Sequence, residues 1–137
     1  MKINLENSGD IIAIIAGLFQ FKENEQFSQA ALAITEDDLF IYDDNAPDQK
    51  QGDNYFYKIK KRFKLEDITM AVDEQIVKNR QLNNMGRLVF LTQDEDQTFT
   101  FYYFVNDKKD VQGFIKELAA AGIKTKKKKA NLKIIKF

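Results

Sequence analysis

The 137-residue chain contains no cysteine, no histidine and no tryptophan, and its only proline is Pro47. Without cysteine there is no disulfide staple, no thiolate nucleophile and no soft-metal ligand. Without histidine, the Ser-His-Asp and Cys-His arrangements, the HExxH zinc site and the side chain best suited to proton transfer near neutral pH all drop out. Carboxylate or lysine catalysis is the route left, and no motif marks it. The chain is therefore read as a non-enzyme with no metal, no cofactor and no small-molecule substrate. Long apolar runs are missing too: Ile11 to Phe19 is too short to cross a bilayer, and MKINLENSGD supplies neither a basic region nor a small-residue cleavage site. A cytoplasmic protein is expected. With no internal repeat and no Pro-rich linker, one domain is expected.

What is present leans toward β-structure. Twelve Phe and five Tyr, many two residues apart, suit the half-buried surface of a sheet, and 44% apolar residues can fill one core at this length. Charge is balanced overall but unevenly placed. All 21 acids precede residue 124, whereas Lys124, Lys126, Lys127, Lys128, Lys129, Lys133 and Lys136 follow, leaving a body of 14 basic minus 21 acidic groups, or −7, and a tail of +7. The expected division is a domain over 1–123 and a lysine-rich tail over 124–137.

Along the chain, Ile-rich IIAIIAGLFQF reads as a first strand rather than a helix, because β-branched residues and Gly17 disfavour a helix. AALAIT and LFIYDD, joined by Glu36-Asp37-Asp38, read as a hairpin. Asn45 to Asn54 is polar, with Pro, Gly, Asp and Asn, and is expected to be the longest exposed loop. In YFYKIKKRFKL the alternation puts Tyr57, Ile59, Phe63 and Leu65 on one face, interrupted by Lys61, and Lys58, Lys60, Arg62 and Lys64 on the other. ITMAV continuing into DEQIV, then RLVFLT after a turn at Asn83-Asn84-Met85-Gly86, then TFTFYYFV after Asp94-Glu95-Asp96-Gln97, bring the count to seven strands. Finally Val111, Phe114, Ile115 and Leu118 recur at helical spacing between an Asn106-Asp107 cap and a stop at Gly122. One apolar stripe makes this helix a lid on the sheet.

Seven strands followed by one amphipathic helix resembles the pleckstrin-homology-like order, and GDIIAIIAG, ALAITEDDLFIYDD and FKLEDITMAV resemble bacterial PH-like and GRAM-type domains over residues 9 to 122. The resemblance implies a mostly β, seven-stranded antiparallel sandwich or barrel capped by the C-terminal helix. It implies a binding or assembly role, through protein contact or homo-oligomers. The loop Phe21-Lys22-Glu23-Asn24-Glu25-Gln26 lacks the basic character by which lipid-binding PH domains resemble one another, which argues against phosphoinositide recognition there.

Two basic features are candidate anion or partner contacts. One is the strand face of Lys58, Lys60, Arg62 and Lys64, which either tracks phosphates or pairs with acids near Asp67, Asp73 and Glu74. The other is the tail with Lys126, Lys127, Lys128 and Lys129. The tail either meets an anionic membrane or nucleic acid, or folds back on the acidic body, with NLKIIKF adding an edge strand there or on a neighbouring chain. The concave region between basic strand and tail is the expected site. Asp43, Asp44, Asp48 and Asp53 match no EF-hand spacing and read as solvated loop charge. Tyr102 and Phe104, opposite Phe99 and Phe101, are expected to be buried, with an exposed patch as the alternative.

Overall fold

The computed structural model describes residues 2–22, 26–77 and 85–128. Its main body is one eight-stranded sheet formed by β2 (Ala13–Gln20), β3 (Ser28–Ile34), β4 (Asp38–Tyr42), β7 (Ile59–Lys64), β8 (Ile68–Val77), β9 (Met85–Thr92), β10 (Phe99–Phe104) and β11 (Lys124–Lys128). Hydrogen-bonded neighbours run β11-β8-β9-β10-β2-β3-β4-β7. All pairings are antiparallel except β11 with β8, which is parallel. Seven of these strands are those the sequence predicts, in the predicted order. β7 and β11 stand at opposite ends of the sheet, so the architecture is an open sandwich and not a closed barrel.

Local chemistry accounts for the joints. Between β3 and β4, Thr35 Oγ1 accepts from the Asp38 amide at 3.1 Å, and the Thr35 amide donates to the Asp38 carbonyl at 2.9 Å, closing the turn. Leu65–Asp67 forms a short 3-10 turn into β8, and a second, Glu95–Gln97, leads into β10. In the latter the Asp94 carboxylate accepts from the Asp96 amide at 3.1 Å. Met85 and Gly86 belong to β9, one on each face, rather than to the turn expected there; Asn83 and Asn84 lie outside the described residues.

The inner face carries the main core. Helix α1 (Lys108–Ala120) lays Val111, Phe114 and Leu118 against it, all buried, with Ile115 partly so. Burying side chains of this size stabilises by about 1.5–3 kcal/mol each. Under the helix, Phe99 stacks between Phe63 and Phe90, with ring centroids 4.8 and 4.7 Å away. The helix ends as the sequence predicts: Gly122 adopts φ +92°, the Ile123 amide donates to the Leu118 carbonyl at 3.1 Å, and the Gly122 amide donates to that of Ala119 at 3.0 Å. At its start, Asp107 occupies the cap position without a side-chain capping bond, preceded by a 3-10 turn over Val105–Asp107.

The stretch expected to be the longest loop is partly structured. β5 (Gln49–Gln51) and β6 (Asn54–Phe56) form a hairpin around Gly52 at φ +60°, and β1 (Lys2–Asn4) pairs with β6 in parallel. On the outer face of β3 and β4, Phe40, Tyr42, Ala31 and Ala33 are buried beside Leu5, with Ile3, Tyr57 and Ile59 packed against them. Tyr57 and Ile59 thus lie in the outer cluster, whereas Phe63 and Leu65 lie in the inner core. The predicted single apolar face of this segment is broken by a bulge where Ile41 pairs with Lys61 and Tyr42 with Ile59, which turns the strand over at Lys60. The aromatic pair on β10 also divides: Tyr102 is buried against Phe27 and donates from its hydroxyl to Gln20 Oε1 at 3.1 Å, whereas Phe104 is 49% exposed.

Candidate functional site

The bulge decides where the basic strand's charges go. Lys61 turns to the inner side, its ammonium 4.5 Å from the centre of the Phe21 ring. Lys60 donates to the Gln29 carbonyl at 3.1 Å. Arg62 lies over the Phe40 ring at 5.1 Å, bonds the Asp38 carboxylate at 2.9 Å and reaches the Asn7 carbonyl at 3.4 Å. Asp38 is largely buried, so this pair is better shielded from water than a surface bridge. Lys64 is exposed and stands opposite Asp38 in register. Lys58 precedes the strand, exposed, and its carbonyl accepts from the Asp43 amide at 2.9 Å. Cross-strand pairing with acids is therefore present, but with Asp38 and not with the acids at 67, 73 or 74. Glu74 instead pairs with Arg87, and Asp73 accepts from the Tyr103 hydroxyl at 2.6 Å.

Arg62 and Lys64 open onto a cleft of about 620 Å³ at the end of the helix, bounded by Glu36, Asp37 and Asp38 on one side and Ala121 to Ile123 on the other. Leu65, Glu66 and Ile68 complete it. This is the concave region between the basic strand and the start of the tail. Four carboxylates against two cations make it poor at attracting a phosphate. A second cleft of about 720 Å³ lies along the inner side of β7, from Lys61 and Phe63 to Gln93 and Asp94.

The tail folds back on the acidic body, one of the two expected arrangements, and among the described residues it does so through its first residues. Lys124–Lys128 is itself the edge strand, in register with Met70, Ala71, Val72, Asp73 and Glu74 of β8. This register sets Lys127 beside Asp73 and Lys128 beside Glu74, opposite charges side by side. Lys126, Lys127 and Lys128 are exposed; Lys129 and NLKIIKF lie outside the described residues. A pocket of about 380 Å³ separates β11 from α1, between Ile115 and Lys116 on one side and Thr125 and Lys127 on the other.

Among the described residues no group of three or more acids is placed to hold a metal ion, and no helix is long and apolar enough to cross a membrane. The carboxyl of Asp44 is raised above the ordinary carboxylate range, chiefly by burial, with Asp43 adding to it and the Gln29 side chain opposing. The Tyr42 and Tyr103 phenols are raised as well. Burial leads in both, followed by the charge of Asp44 at Tyr42 and the hydrogen bond to Asp73 at Tyr103.

No protein-family model matches the chain, and no curated protein does. Among solved structures it is similar to Vav1 bound by an allosteric inhibitor, at 12% identity and a TM-score of 0.56, over 85% of this chain and 29% of that one. It is similar to a second Vav1 structure described for its PH and C1 domains, at 13% identity and 0.52, over the same shares of the two chains. The hSac2 domain of the human phosphoinositide phosphatase Sac2 matches at 13% identity and 0.54, over 90% of this chain and 78% of that one. At these identities the likeness is one of fold, and the fold of this chain is pleckstrin-homology-like.

Proposed function

We propose that the chain is a non-catalytic binding or assembly module that acts through protein contact or self-association. Residues 1–123 serve as the domain and 124–137 as its lysine-rich extension, working in the cytoplasm. The bacterial and GRAM-type affinity of GDIIAIIAG and FKLEDITMAV belongs to the same reading. The observation that carries it is β11: a lysine-rich segment folded as the last strand of an open sheet among the described residues, with its four lysines exposed. An open edge is a template for another strand. The test is the solution mass of the full chain and of a 1–123 truncation by light scattering, at low and high salt. A salt-resistant oligomer of the full chain that becomes a monomer on truncation supports self-association. Monomers throughout remove it and leave contact with a different protein.

A second reading is peripheral binding to an anionic membrane or nucleic acid, favoured by the exposure of Lys124, Lys126, Lys127 and Lys128 along one edge. Binding to anionic vesicles or duplex DNA that falls steeply with salt supports it. Binding that ignores salt removes it.

A further inference from the structure

Among the described residues the chain covers the outer face of the main sheet in two places: over β3 and β4, and where Phe27 packs on Tyr102 beside Met85, at the start of β9. Over β3 and β4 lie Leu5, Ile3 and Tyr57, carried by β1, its following residue and the segment after β6. Over β8 and β9 the register directs Met70, Val72, Val89 and Leu91 outward, because their neighbours Ala71, Leu88 and Phe90 occupy the inner core. Met70, Val72 and Val89 are half-buried, and Leu91 is 37% exposed. The pairing of β11 with β8 then places Lys124, Lys126 and Lys128 on this same outer face, beside Met70, Val72 and Glu74. The result is an apolar stripe two strands wide with a row of three ammonium groups along one border, spaced about 7 Å apart as alternate residues of a strand must be.

Lysines at a sheet edge often serve only to keep other strands away. Here they flank apolar side chains that belong to no buried cluster among the described residues, and edge protection does not call for them. We propose that this face docks an extended or helical segment of another protein whose apolar residues cover Met70, Val72, Val89 and Leu91 while its acidic residues meet Lys124, Lys126 and Lys128. Charge complementarity selects the occupant: a second copy meeting this face with the same face would set two lysine borders against each other, whereas an acidic segment neutralises the one border present. The inference rests on the protein-contact reading above and names the surface and the class of partner.

The probe is a synthetic peptide of about twelve residues, enough to span the face at roughly 3.3 Å per residue, alternating glutamate with leucine and phenylalanine. Binding to the full chain is followed by fluorescence anisotropy and by methyl NMR of Met70, Val72, Val89 and Leu91. Expected is saturable binding that shifts those methyl signals and weakens about tenfold in the triple variant Lys124→Glu, Lys126→Glu, Lys128→Glu. Leu91→Lys weakens it several-fold although it adds positive charge, which separates this face from a site made by charge alone. The proposal is overturned by equal binding of a scrambled peptide of the same composition, by tighter binding to Leu91→Lys, or by no binding. It is also overturned if the full chain oligomerises and the triple variant does not, since the occupant is then a second copy and the assembly reading stands. Binding of anionic vesicles but not of the peptide overturns both this proposal and the protein-contact reading. Circular dichroism of each variant confirms that the fold persists.

Discussion

Gly86 on β9 faces Tyr103 on β10 across the antiparallel pair, and the absent side chain is what lets the Tyr103 ring lie over β9. A Cβ at position 86 would sit 2.1 Å from the ring carbon that bears the hydroxyl. The ring would have to retreat by more than an ångström. It cannot do so freely, because its hydroxyl is held by the buried Asp73 carboxylate at 2.6 Å. Gly86→Ala therefore carries two costs: overpacking, about 1–3 kcal/mol, and loss of a hydrogen bond to a carboxylate, about 1.5–3 kcal/mol. Together they remove about 2.5–6 kcal/mol from a domain whose total is on the order of 5–15 kcal/mol. Urea unfolding followed by circular dichroism measures it, with Tyr103→Phe and the double variant completing a cycle. Tyr103→Phe alone costs about 1–3 kcal/mol, and less when Gly86→Ala has already broken the bond. A Gly86→Ala protein within about 0.5 kcal/mol of the parent, or strictly additive costs, would refute the reasoning.

Leu118→Ala leaves a cavity between α1 and the sheet and lowers the unfolding free energy by about 2–5 kcal/mol in the same assay. Asp44→Asn acts through charge: the fold raises the Asp44 carboxyl, so the ionised form penalises folding at neutral pH, and the variant unfolds at higher urea there. That gain disappears as pH falls below the ordinary carboxylate range, where both proteins are neutral at this position, and a gain independent of pH would contradict it. Tyr42 and Tyr103 are raised above the ordinary tyrosine value, so their contribution is intact below about pH 10 and is lost as pH climbs through their higher folded values. Ultraviolet absorbance should show two phenols ionising late and together with unfolding.

The seven-strand order and the helix were legible from a period of two, as in TFTFYYFV, from short apolar runs between turn residues, as in AALAIT and LFIYDD, and from a period of 3.6 from Val111 to Leu118. What escaped carries none of these. β5 and β6 are three residues each, built from Gln, Lys, Asn and two aromatics, and β1 meets β6 across the 49 residues between Asn4 and Asn54. Nothing in KIKKRF announces a bulge, because Lys suits either side of an edge strand; the flip at Lys60 is imposed by the partner strand β4. A run of lysines likewise has little tendency to extend alone, and β11 owes its conformation to β8, whose Asp73 and Glu74 accept it in register. Of the candidate contacts, the sequence located the two basic stretches. It could not tell that Arg62 is committed to Asp38, nor that the lysines of β11 border the apolar face of β8 and β9.

The order of strands also bears on how the chain reaches this state. β2, β3 and β4 form one meander with β7, and β8, β9 and β10 form another, each from neighbours in sequence. The two are joined by β2 and β10, where Gln20 meets Thr100 and Leu18 meets Tyr102. That seam closes only after most of the chain is available, and such non-local closure places folding on the order of milliseconds to seconds. Gly17 stands at its end, where a Cβ would press on the Tyr102 carbonyl at 2.0 Å. The pairing that unites the two meanders therefore ends at a joint where a single side chain is too many.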